Sequence, residues 1–272
     1  MAFRANEPAA AMLTAEALEA AAEEAGAKKV ALSSPKVFLL GICAGAFISL
    51  GATFMLVIKA DASLSFAVSQ VLGGLVFCLG LFLVFVAGAE LFTGDNLMVC
   101  GALSHKYSWL QVLRIWVLVY AGNLVGSLAI AGLLTAADFA AQGSGGVGAA
   151  ALAVATSKAA LTPGVAFARG ILCNVLVCLA VWMGFAARNV VEKLTCAVLP
   201  VTAFCACGFE HCVANMFFFA YGLLVQGGPV ASIADGITFA GVASNLLCST
   251  AGNMVGGAVL VSVVYWLAYG RK

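Results

Sequence analysis

The sequence predicts an all-α membrane protein of six transmembrane helices, arranged as two inverted three-helix repeats whose second and fifth helices are broken. Three observations carry this. Of 272 residues, 64% are hydrophobic and only 9% charged, with a mean hydropathy of +1.10. A soluble domain needs a polar skin over its core, whereas hydrocarbon solvates an apolar exterior. Six apolar segments, at 37–58, 66–89, 110–134, 159–187, 194–225 and 239–269, reach the ~20 residues that a bilayer crossing needs. Finally, Ala121-Gly122-Asn123-Leu124-Val125-Gly126 in the third segment returns as Ala251-Gly252-Asn253-Met254-Val255-Gly256 in the sixth.

The chain divides into an N-terminal segment, 1–35, and a transmembrane domain, 36–272, with repeat one at about 36–136 and repeat two at about 158–270. Residues 1–30 are rich in alanine and glutamate and lack the basic start and apolar stretch of a cleavable signal peptide. They are predicted to form a cytoplasmic helix, with Met12, Leu13 and Leu18 available to rest on the membrane surface. One set of loops carries Lys28, Lys29, Lys36, His105, Lys106, Arg188, Lys193, Arg271 and Lys272. The other set, around Asp61, 142–148 and 227–235, carries no lysine or arginine apart from Lys59 and Lys158. The positive side faces the cytoplasm, so both termini are predicted there, across a plasma (inner) membrane.

Each half reads as a span, a broken span and a span bearing Ala-Gly-Asn. The breaks are marked by Glu90 with Asn96 and by Glu210 with Asn215. Three spans per half invert the second half relative to the first, which puts a pathway at the interface of the repeats near the midplane. Breaking a helix in hydrocarbon frees backbone groups that cost several kcal/mol each if unpaired. Glu90 and Glu210 are therefore expected to accept freed backbone N–H groups. Asn123 and Asn253 are expected to hydrogen-bond between helices that small residues bring close. Ionisable groups at membrane depth are functional candidates, and His211, whose proton moves near physiological pH, is the sharpest. Arg169 reads either as an anchor at the cytoplasmic side or a subunit interface, or as a glutamate's partner.

Net charge is +1, with no basic face for phosphates, so no nucleic-acid partner is expected. Cys205, Cys207 and Cys212 beside His211 are the nearest approach to a metal set, but the spacing fits no zinc signature and packing is the better reading. No cofactor is expected. With His105 and His211 the only histidines, no nucleophile and base pair forms, which disfavours an enzyme. A membrane scaffold using the repeat only for packing would tolerate changes at His211 and carry no solute.

Three stretches give the sequence a resemblance. They are Ala89-Glu90-Leu91-Phe92-Thr93-Gly94, then Arg169-Gly170-Ile171-Leu172-Cys173-Asn174 with Leu176-Val177-Cys178-Leu179-Ala180-Val181-Trp182-Met183, and Gly208-Phe209-Glu210-His211-Cys212-Val213-Ala214-Asn215-Met216-Phe217. Together they resemble the formate/nitrite transporter family, which includes formate, nitrite, lactate and hydrosulfide channels. The resemblance implies an aquaporin-like protomer in a homopentamer within membrane lipid, each protomer with its own pore for a small anion, formate first. It further implies that Thr93 faces the pore histidine His211, that Asn174 is a polar pore residue, and that Lys158 attracts anions at the outer mouth. On the same basis Leu81, Leu91, Phe77, Phe92, Phe204 and Val177 form two apolar constrictions. No Asn-Pro-Ala motif is present, which disfavours a water or glycerol pore. The expected mechanism neutralises the anion between the rings, by a proton passing through His211 or from vestibule water, while Thr93 and Asn174 hydrogen-bond it. Passage of the charged anion beside a protonated His211 is the alternative. Loss of Lys158 is expected to lower flux modestly, by an amount added salt masks.

Overall fold

The computed structural model describes residues 13–227 and 236–270. Met12, the 228–235 part of the last connecting loop, and the Arg271 and Lys272 pair lie outside the described residues. Among the described residues, five helices are long and apolar enough to cross a bilayer: α2 (Ser34–Lys59), α3 (Phe66–Ala87), α5 (Trp109–Ala136), α7 (Pro163–Ala186) and α10, which runs over Phe239–Met254 and continues in wider, π-type winding to Gly270. The second predicted segment is one helix as far as Ala87 and its break follows it, whereas the fifth is split within itself. After α3 the chain turns through a 3-10 stretch, Gly94–Met98, into the short α4 (Val99–Leu103). The fifth segment is α8 (Val190–Ala206) and α9 (Cys212–Gln226), each shorter than a crossing.

The long helices pair through glycine. α2 lies on α5 and α7 on α10, and the Ala-Gly-Asn blocks supply the contact. A Cβ added at Gly126 would stand 2.1 Å from the Ile42 carbonyl oxygen, and one at Gly256 2.3 Å from that of Ile171. Only a residue without a side chain lets these backbones approach so closely.

Two elements differ from the sequence reading. The glycine-rich loop ends in a helix, α6 (Gly146–Ala159), which the expected start of a span at 159 had left out. It is alanine-rich, hence strongly helix-forming. Its 14 residues are too few to cross, so hydropathy over a span-length window passes it by. Its buried face, with Val147, Ala151, Leu152 and Ala155, packs against α9, and its last turn carries Lys158.

The other is α1 (Ala15–Val30), capped by Thr14, whose hydroxyl accepts the Ala17 N–H at 3.3 Å. Its buried face is polar and small, with Glu19, Ala22, Glu23 and Gly26, and it packs on α4, α7 and the end of α10. That face meets protein groups that answer it: Glu23 pairs with Lys106 and with the Ser104 hydroxyl, which also accepts the Trp266 indole N–H at 2.9 Å. Burial alone would raise the Glu23 pKa, but hydrogen bonds from Lys106 and Ser104 hold its carboxyl below the ordinary 4.5. A carboxyl depressed on folding stabilises above its unfolded pKa, and that contribution is lost as pH falls through the folded value. Docking of α1 is therefore expected to loosen on acidification below 4.5, and hydrogen exchange over residues 15–30 measures it. Unchanged protection in Glu23→Gln at neutral pH would show that this pair does not hold the helix.

Candidate functional site

Both breaks are made in the same way. α3 ends on Gly88 (φ 75°) and α8 runs out through Gly208 (φ 67°), backbone that glycine adopts without strain. Two residues later come Glu90 and Glu210, whose N–H groups donate to Leu40 O (3.2 Å) and Arg169 O (3.3 Å). A buried asparagine then closes each break. Asn123 Nδ2 donates to Gly41 O (2.8 Å) and Glu90 O (3.0 Å), while its Oδ1 accepts the Phe92 N–H (3.1 Å). Asn253 Nδ2 donates to Gly170 O (2.8 Å) and Glu210 O (2.8 Å), while its Oδ1 accepts the Cys212 N–H (2.9 Å). One amide supplies the partners that two freed backbone groups need, and ties them to a glycine carbonyl of the neighbouring unbroken helix; hydrocarbon offers no others.

The glutamate side chains do not take freed N–H groups as expected, because the asparagines already serve them. They bind lysines instead. Glu210 accepts from Lys158 Nζ (2.8 Å), Asn215 Nδ2 (2.7 Å) and Asn245 Nδ2 (3.0 Å). Glu90 and Asp95 both accept from Lys29. The counterpart of Asn215, five residues past its glutamate, is thus Asp95 and not Asn96. Asn96 turns back to donate to Phe92 O (2.9 Å) and Thr93 O (3.3 Å). Arg169 meets no carboxylate among the described residues and donates to Gly208 O (3.4 Å), so it braces the break near Lys158. Lys158 is likewise no bare cation: Glu210 offsets its charge, and its ammonium lies 5.7 Å from the Phe218 ring centre.

His211 stands at the start of α9 with its ring buried. Nδ1 accepts the Ala214 N–H (3.1 Å), an N-cap bond that a hydrogen on Nδ1 would abolish. The proton therefore sits on Nε2, which lies 3.0 Å from Thr93 Oγ1. With Oγ1 accepting from the imidazole, the Thr93 hydroxyl keeps its own hydrogen to donate. Thr93 is fixed through its carbonyl, which accepts from Asn174 Nδ2 (3.2 Å), Asn96 Nδ2 (3.3 Å) and the Cys178 thiol (3.3 Å). The second Asn174 N–H goes to Asn253 O (2.7 Å). Asn174 therefore has no hydrogen left to donate to a solute; it holds Thr93, and its buried Oδ1, without a partner among the described residues, is left as an acceptor.

His211 separates two spaces. One is a cavity of about 290 Å³ open towards the Lys59 and Lys158 end, lined also by Phe77, Phe204, Phe209 and Asn215. The other, of only about 10 Å³, is walled by Phe77, Leu81, Leu91, Val177, Phe204 and His211. A space that small holds at most about one water. Phe204 closes the boundary, edge-on to Phe77 (5.9 Å between centroids) and stacked on His211 (5.7 Å, 19°). Phe92 lines neither space. Its ring packs edge-on against Tyr120 (4.9 Å) and Trp116 (6.1 Å), because Asn123 anchors its backbone and turns it towards α5.

Lys29, Asp95 and Asn245 belong to this machinery and the sequence reading missed their part in it. A signal existed for the lysines: Lys29 and Lys158 each stand twelve residues before the glycine whose carbonyl the clamp asparagine takes (41 − 29 and 170 − 158). Of the cysteines near His211, Cys205 and Cys212 are buried and Cys207 is exposed. The described residues contain no group of three or more histidine, cysteine, aspartate or glutamate side chains able to hold a metal ion.

A family model described as formate/nitrite transporter matches residues 15–267. The formate channel FocA of Escherichia coli (strain K12) is 35% identical over 273 residues, covering 96% of this chain and 96% of that protein. A solved structure described as a pentameric formate channel with formate bound aligns with a TM-score of 0.76 at 38% identity, over 88% of this chain and 98% of that one. Another, described as an ion channel of the same family, gives 0.81 at 30% identity, over 92% and 98%.

Proposed function

The chain belongs to the formate/nitrite transporter family, and from that premise we propose that it conducts small monovalent anions of weak acids, formate first among them, together with a proton. The family is one of channels and transporters, so this multi-pass membrane protein is not an enzyme. The observation that carries the reading is the placement of His211, which lines both the open cavity and the small apolar chamber and is bonded to the buried Thr93.

A bare anion is opposed there, since desolvating a charge costs several kcal/mol even after relaxation. An anion that gains a proton in the vestibule escapes most of that penalty. It then passes Phe77, Phe204, Leu81, Leu91 and Val177 as the neutral acid, hydrogen-bonded by the Thr93 hydroxyl, and releases the proton beyond. Vestibule water supplies the proton in this scheme. His211 acts as a donor that orients Thr93, because charging its ring would break the N-cap bond of α9. The same bond argues against the anion passing charged beside an imidazolium. Nitrite, hydrosulfide and lactate meet the same chemical requirement and are further candidate solutes.

The arrangement we propose is six crossings as two inverted three-helix repeats, in an aquaporin-like protomer of a homopentamer. The equivalent bonds of Asn123 and Asn253 support the repeats. The pentameric relative supports the assembly. Residues 1–35 form a cytoplasmic segment and 36–272 the channel, with both termini cytoplasmic at the inner membrane; the loop charges support this.

Formate uptake into proteoliposomes tests the proposal. Uptake is expected to rise as the outer pH falls. Thr93→Val removes a single donor worth about 0.5–1.5 kcal/mol, so a loss of up to roughly tenfold is expected. Intact flux with an intact pH profile in both Thr93→Val and His211→Ala would overturn the assignment.

A further inference from the structure

The vestibule holds two lysines in unlike states. Lys158 is locked to Glu210, and its side chain is largely buried. Lys59, at the end of α2, lines the same cavity, and its ammonium donates to Gln70 Oε1. Gln70 is itself oriented, its Nε2 donating to Ala206 O at 3.1 Å. The Lys59 stem lies over Gly73, where an added Cβ would come within 3.5 Å of Lys59 Cε. The ammonium is thus positioned, with only one of its three hydrogens engaged among the described residues. The carboxylates nearby in sequence or lining are committed elsewhere: Glu210 to Lys158, Asn215 and Asn245, and Asp61 to the Ser63 N–H (2.9 Å) and hydroxyl (2.6 Å).

We propose that Lys59, held by Gln70, is an anion-binding station in the vestibule, where a small carboxylate or other monovalent anion docks before it reaches His211. The assignment rests on the transport reading for its purpose, but on the cavity for its geometry. Lys158 contributes little net field because its charge is matched within 2.8 Å, whereas Lys59 makes no ion pair among the described residues and presents spare donors to the same space. Capture by such a charge is long-ranged, weak and screened by salt.

Two measurements on the full chain test this. In proteoliposomes, formate uptake is read at concentrations far below saturation, with an impermeant salt varied. Lys59→Met is expected to lower low-salt uptake about fivefold, the factor for one unit charge at contact distance in water. The mutant should also lose the salt dependence and keep the saturating rate, while Lys59→Arg behaves as the unmodified chain. In detergent, line broadening of carbon-13 formate is expected with the unmodified chain and with Lys59→Arg, and weakened with Lys59→Met. Equal broadening and equal salt dependence in Lys59→Met and the unmodified chain would overturn the station while leaving transport standing. Lys59-dependent broadening in a chain that carries no formate flux would uphold the station and sink the transport reading alone.

Discussion

Replacing Asn253 by alanine is expected to lower the melting temperature in detergent by roughly 10 °C, and Asn123→Ala to do nearly as much. Each substitution strips the partners from two buried backbone groups, the carbonyl of a glutamate and the N–H two residues past it, and removes a second bond to a glycine carbonyl inside a continuous helix. Each orphaned group costs ~1–3 kcal/mol in a protein interior, and water cannot substitute at this depth. At ~1 kcal/mol per 2–4 °C for a chain of this size, two such losses give the stated shift. Asn→Asp at either position sets a buried carboxylate oxygen against two carbonyl oxygens and should cost at least as much as alanine. Thermal unfolding of both alanine variants alongside Asn189→Ala, a cap at a solvated helix start, is the measurement. Equal small shifts in all three would mean that the breaks are held by something other than the asparagines.

That the clamps stood out in the sequence and the lysine ion pairs did not has a physical cause. An asparagine at the same place in two glycine-rich blocks leaves a local signature, six residues long, because helix packing fixes its neighbours too. The left-handed glycine two residues before each glutamate is local in the same way. The ion pairs are not. Lys29 reaches a carboxylate 61 residues on, and Lys158 one 52 residues on, so the pairings form no local motif and only the matching place of the two lysines in the repeat hints at them. Phe92 and Asn174 show a related blindness. Their residue types suit a pore, but Asn123 turns one towards α5 and two backbone carbonyls take both donors of the other. The helix α6 was hidden by its shortness, because hydropathy reads membrane thickness and α6 does not cross.

Removing the Lys158 charge is expected to cost far more than the modest, salt-masked loss that a lysine at an open mouth would give. Glu210 is 1% exposed, and Lys158→Met leaves its carboxylate buried with only Asn215 and Asn245 as donors. Breaking one side of a buried pair typically costs ~3–5 kcal/mol. Salt cannot screen a charge it does not reach, so the deficit should persist at high ionic strength. The double variant Lys158→Met with Glu210→Gln removes the orphaned charge and keeps an acceptor for Asn215 and Asn245. Replacing both members of a buried pair is often close to neutral, so the double variant should recover most of the lost stability. Glu210→Gln alone leaves a cation partly exposed at the cavity and should be milder than Lys158→Met, an asymmetry that follows from the 2% and 15% side-chain exposures of the two partners. Flux then separates the roles. Recovery of transport with recovery of stability assigns Lys158 to holding Glu210, and through it the break that presents His211. A stable double variant without transport assigns its charge to the solute. A single variant as stable as the unmodified chain would mean that Glu210 has another counter-charge, and would remove the ion pair from the account of the site.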